Sequence, residues 1–169
     1  MARRPWTHLL SSFAVLGILL AGSRVRGRDT EKQLEERIRT EHNPVKKAKD
    51  EIKLADLKLA DAVGAYNSGD IQLGAKLVET FVEQMRSAWK TLQESGRKAS
   101  KEPAGFKELD ISLREDLRSL DDLGHKVSYF DRDPLLKAAQ ETDRLRSEVL
   151  QELFPANKPP TKKPSAAPQ

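Results

Sequence analysis

From Val45 to Tyr66 the apolar residues of this chain fall three or four positions apart without a break: Val45, Ala48, Ile52, Ala55, Leu59, Ala62 and Tyr66. Alternating steps of three and four are the seam of an α-helix packed lengthwise on a neighbour. The spacing returns in Ile71, Gly74, Val78, Phe81, Met85, Ala88 and Leu92, with Ala75, Val82 and Trp89 widening the stripe. A third seam runs Phe106, Leu109, Leu113, Leu117, Leu120, Gly124 and Val127, and a fourth Leu135, Ala138, Thr142, Leu145, Val149 and Leu153. Charged residues at 33% and aromatics at 5% suit long amphipathic helices better than a β-sandwich.

The punctuation between seams predicts where the helices stop. Asn67-Ser68-Gly69-Asp70 holds four turn formers, and Asp70 is placed to cap the helix that comes next. So short a turn between two long amphipathic helices predicts an antiparallel hairpin. Residues 95–105 form the longest internal connection, and the third seam breaks near Tyr129-Phe130-Asp131-Arg132. Asp133-Pro134 then reads as an N-cap followed by proline at the first helical position. The expected fold is all-α: an antiparallel bundle of two long helical hairpins, four main helices over residues 44–154.

An accessory helix is expected ahead of the bundle. Thr30-x-x-Gln33 fits a capping box, and Leu34 and Ile38 sit one turn apart, which suggests a helix over about 30–42. Asn43-Pro44 marks either a break or a kink. A break sets Lys46, Lys47 and Lys49 against the positive end of the next helix dipole; a kink removes that conflict. Both readings stay open on the residues alone.

The two ends differ from the middle. Arg3 and Arg4 precede an uncharged apolar run over residues 9–22, which ends in Ala21-Gly22-Ser23. This pattern reads as a secretory signal over residues 1–23, cleaved after Ser23 or, second, after Gly27. Arg24, Arg26 and Arg28 come at once after it and suit an uncleaved anchor instead, although the apolar run is shorter than the roughly 20 residues of a spanning helix. Residues 24–43 are expected as linker and accessory helix. Residues 155–169 carry five prolines and three lysines without apolar periodicity, and read as a disordered tail.

Charge and composition exclude several functions. Setting aside the two arginines of the leader and the three lysines of the tail leaves 25 basic against 26 acidic residues over 24–154. Both signs are interspersed along every helix, so no basic face marks a nucleic-acid partner. Absence of cysteine removes disulfides, thiolate metal sites and a cysteine nucleophile. Neither a nucleophile elbow, a P-loop nor a dinucleotide glycine pattern occurs. Asp122-x-x-His125 is a lone carboxylate–histidine pair, where a di-metal bundle needs two pairs and two further glutamates. Adjacent acids such as Glu115-Asp116 and Asp121-Asp122 diverge by about 100° on a helix and read as solvated faces. No catalytic residue, metal or cofactor is expected.

The stretch Ala65-Tyr66-Asn67-Ser68-Gly69-Asp70, with Gly74 beyond it, resembles the inter-helix turn of a tetratricopeptide repeat. That resemblance covers roughly 15 residues, and the helices here are about twice as long as the repeat's, without its period. It implies protein binding rather than catalysis.

Apolar residues that miss the seams point the same way. With Ile52 as origin, Leu54 and Leu57 fall near 200° and 140°, opposite the main stripe, and Ile111 lies about 160° from Leu113. Leu54 and Leu57 are either covered by Leu34 and Ile38 or, with Ile111, form an interaction surface. The sequence thus reads as an exported, non-catalytic helical module of the cell envelope that binds a protein partner or itself. Membrane contact is expected only through an uncleaved N-terminal segment. A small-ligand or metal-binding carrier is the alternative.

Overall fold

The computed structural model describes residues 29–155. The leader read over residues 1–23, the arginines at 24, 26 and 28 and the tail beyond Pro155 lie outside the described residues. Within them the chain is all-helical: α1 (Glu31–Thr40), α2 (Pro44–Asn67), α3 (Ile71–Glu94), α4 (Phe106–Lys126) and α5 (Asp133–Leu153), with a 3-10 turn at Tyr129–Asp131. The five helices pack against one another. α2 lies against α3 and α4 against α5 along their lengths; α3 also meets α5, and α4 meets α2.

Local chemistry sets most boundaries. The Thr30 Oγ1 accepts the Gln33 N–H while Gln33 Oε1 accepts the Thr30 N–H at 2.9 Å, the reciprocal box that starts α1. Asn43 is extended, as the residue before a proline prefers, and its Oδ1 accepts from the N–H groups of Val45 and Lys46. Pro44 therefore separates two helices and is not a kink within one. The lysines behind it are tolerated partly because Lys49 pairs with Glu108 of α4. At the α4 start Gly105 takes φ 90°, which a side chain disfavours, and its N–H is accepted by Glu108 at 2.6 Å.

One cap differs from expectation. Asp133 does not cap α5; it lies inside the first turn, and Arg132 is already helical with its carbonyl accepting the Leu136 N–H. The 3-10 turn winds directly into α5, so Ser128 caps that turn and no side chain caps the helix. Asp133 still lies where the dipole favours an anion.

Phe81, Phe106, Met85, Leu92, Leu109, Leu113, Leu120, Leu135 and Val149 form the buried centre, with the α2 side contributed by Ala48, Ala55, Leu59 and Ala62. Small residues on α2 and large ones on α3 and α4 let the backbones approach. Trp89 packs edge-on against Phe106 at 6.0 Å and donates its indole N–H to Glu148 on α5. The α4 seam departs from the one read in the sequence. Its buried positions run 106, 109, 112, 113, 116, 120 and 123, so Asp116 occupies a buried position while Leu117 is half-buried. A side chain at Gly124 would meet open space, so that position is not part of the packed seam.

Candidate functional site

The three apolar residues expected to share a surface are not alike. Leu54 is buried at 4% exposure, which corrects its place in that surface. The physical reason is α1, which packs on the side of α2 away from the main core. Leu34 of α1 is itself 2% exposed and lines a cavity of about 310 Å³ together with Leu57, Ala60, Lys53, Asp56 and Asp29. Leu57 is thereby half-buried, covered by α1 rather than presented to a partner. Arg37 brackets the contact, bonding Asp29 and Asp50, and Lys58 pairs with Glu31. Ile111 alone stands free, at 46% exposure on α4. Leu54 and Leu57 therefore do not join Ile111 in one patch.

The exposed apolar surface gathers elsewhere. Among the described residues, Leu73, Tyr129, Phe130 and Leu136 are four of the six large apolar side chains left exposed. All four lie by the α2–α3 turn or the α4–α5 connection. These two meet at one end of the molecule: Asp131 lies close enough to Tyr66, at the end of α2, to help burial raise its phenol's pKa. Tyr129 and Phe130 stack edge to face with centroids 5.8 Å apart. The 3-10 turn that carries them is pinned by the Asp131 N–H to the Ser128 carbonyl and by Arg132 Nε to the Val127 carbonyl. In the sequence these aromatics read only as a helix break. The available signal was two adjacent aromatic residues in a connection, outside every seam, in a chain poor in aromatics.

A second feature lies between α2 and α4. The Ser112 hydroxyl is 2.7 Å from Asp56 Oδ1 and 3.4 Å from Asp116 Oδ2. One hydroxyl proton serves one acceptor, and the nearer Asp56 takes it. Asp116 is buried, and burial, the Asp56 charge and the nearby Glu115 push its carboxyl up to about 8 despite the serine. Asp56 is raised for the same leading reason, burial, and by Glu115. Glu115 and Asp116 do diverge on α4, with Glu115 exposed; the solvated-face reading fails for Asp116 because it faces α2. Asp110 pairs with Arg146 of α5 at 3.0 Å.

His125 is exposed, and its Nδ1 lies 2.8 Å from the Asp121 carbonyl rather than meeting Asp122. Among the described residues no three histidine or carboxylate side chains converge as a metal site would require.

The turn resembling a tetratricopeptide repeat keeps one close approach. A Cβ at Gly74 would lie 2.6 Å from the Tyr66 ring, so only glycine lets α3 pass there. No protein-family model, curated protein or solved structure matches the chain.

Proposed function

We propose that this chain is an exported, non-catalytic helical-bundle protein that works by binding a protein partner or another copy of itself. The bundle is read as two antiparallel hairpins, α2–α3 and α4–α5, with α1 as an accessory. A single observation carries the functional reading: exposed apolar side chains gather at one end, at Tyr129, Phe130, Leu136 and Leu73, while the helix seams bury theirs. Adjacent exposed aromatics are the kind of residue that anchors protein interfaces. Export rests on the basic and apolar pattern of residues 1–23. No described helix is long and apolar enough to cross a membrane.

The test is cross-linking with mass spectrometry on the mature protein, alone and with the envelope fraction of its source cells. Cross-links from Lys126 and Lys137, which flank the aromatic end, to one dominant partner or to a second copy support the reading. Loss of those links in Tyr129→Ser/Phe130→Ser completes the case. Only intramolecular links in every sample would sink it.

One observation favours the alternative of a small-ligand carrier. A groove of about 590 Å³ opens between α3 and α5, with Val78, Val82 and Ala138 beneath Arg86, Glu141 and Arg144. Its size suits a small molecule. Arg86 and Arg144 both pair with Glu141, so part of the groove's charge is already engaged within it. Saturable heat on titration with divalent metals or small anions would favour the carrier.

A further inference from the structure

We propose that the Tyr129–Phe130 end is a docking site for the proline- and lysine-rich segment 156–169 of a second copy of this chain. The inference rests on the proposed interaction function and deepens it by naming the partner.

The site is built to present its rings. Tyr129 and Phe130 are 78% and 89% exposed, and the 3-10 turn beneath them is held by backbone and side-chain hydrogen bonds. Leu136 and Leu73 are further exposed apolar side chains towards the same end. A platform already ordered loses little freedom on binding. Aromatic surfaces of this kind take proline-rich peptides, because proline rings stack on them and an extended polyproline segment has little conformational entropy left to lose. Segment 156–169 carries Pro159, Pro160, Pro164 and Pro168.

Charge fits as well. Around the end stand Asp70, Asp121, Asp122, Asp131 and Asp133, against Lys126, Arg132 and Lys137. The segment holds Lys158, Lys162 and Lys163 and no acidic side chain. Opposite net charge draws the two together and makes the contact weaken with salt.

Reach favours another copy's segment over the chain's own. The rings lie at the start of α5, and the segment leaves its end, 21 residues on. At 1.5 Å per residue α5 spans about 30 Å. From Pro155 to Pro160 an extended chain covers at most about 18 Å, so Lys158, Pro159 and Pro160 fall short of their own aromatic end. Pro164 and Pro168, about 32 and 47 Å along an extended chain, reach it, but only a second copy brings the whole segment, with Lys158 and the adjacent Pro159 and Pro160, onto one ring pair. Each copy then offers one ring pair and one segment at opposite ends, a head-to-tail contact that leaves free ends and grows rather than closing at a dimer.

The experiment uses the mature chain, a labelled peptide of residues 156–169, and two variants whose changes lie at exposed rings or in the segment itself. These are Tyr129→Ser/Phe130→Ser and Lys158→Glu/Lys162→Glu/Lys163→Glu, each checked for native helix content. Fluorescence anisotropy is expected to show the peptide saturating the wild-type chain, with affinity falling about tenfold or more in the ring variant and with added salt. Sedimentation velocity is expected to show assemblies that grow with concentration for the wild type and monomers for each variant alone. Mixing the variants leaves one intact ring pair and one intact segment, so a species of two chains is expected. A peptide that fails to bind, or that binds the ring variant equally well, overturns the proposal. So does a wild type that stays monomeric at all concentrations. If the peptide fails while cross-links still join the aromatic end to a different protein, this inference falls and the broader interaction reading stands.

Discussion

Asp116 shows how one residue can be legible in type and illegible in role. Its carboxyl lies at a core position of α4, and its proton is retained to about pH 8, above the ordinary carboxylate value of 3.8. The folded state therefore keeps a proton that the unfolded chain releases. Stability from this group is full below about pH 4 and falls as pH rises to about 8, on the order of 1 kcal/mol per pH unit. Asp56, also raised, acts with the same sign. Asp116→Asn is expected to flatten that slope and to leave the chain more stable than wild type at pH 8, as read by urea unfolding across pH 4–9. An unchanged slope would place the proton elsewhere. A second residue-scale prediction concerns Gly74, whose missing Cβ leaves room for the Tyr66 ring. Gly74→Ala gains helix propensity yet overpacks the turn, with an expected net loss of about 1–3 kcal/mol. Adding Tyr66→Leu to Gly74→Ala is expected to recover part of it, measured by thermal unfolding of the single and double variants.

Elements were the most legible scale. Thr30, Asn43 and Asp70 cap the helices after them, because a short polar side chain before an apolar stripe has a free N–H to satisfy. The boundary at Asp133 is not legible because a 3-10 turn upstream has already bent the chain into helical geometry, and nothing in Tyr129-Phe130-Asp131 announces that. α1 is attached chiefly through Leu34, since the Arg37 ion pairs are partly solvated and solvent screening leaves such pairs little net stabilisation. Leu34→Ala is expected to cost about 2–5 kcal/mol of local stability and to uncover Leu54 and Leu57. Faster hydrogen exchange in α1 and new binding of an apolar dye would report it. Protection unchanged in α1 would mean that the ion pairs suffice.

At the scale of the whole molecule α2 is the central strut. It meets α1, α3 and α4, and its buried residues include Leu54 and Glu51 on sides that the main seam leaves out. Glu51 is held by the Ser87 hydroxyl at 2.9 Å. An element covered on several sides opens last, so native-state hydrogen exchange is expected to show the middle of α2 exchanging only by global unfolding. α1 and the last turn of α5, next to the exposed Phe154, are expected to exchange by local opening. Equal protection across all five helices would contradict this. The candidate site belongs to the same scale: Leu73 and Phe130 are far apart in the chain and come to one end of the molecule only when the α2–α3 and α4–α5 connections arrive there.

By itself the sequence determined the helical class, the main stripes and nearly all the helix limits, because those depend on periodicity and caps within a few residues of one another. Tertiary structure alone decided which off-stripe residues are covered. Leu54 and Leu57 look like a surface until α1 lies over them, and Ile111 stays exposed at the same apparent phase error because nothing packs over it. It also decided that Asp116, not Leu117, faces α2, since what stands opposite that side of α4, Asp56 bonded to Ser112, is brought there only by the packing of α2 on α4. Periodicity records the angle of a side chain about its own helix; what stands opposite that angle is set by the packing of the others.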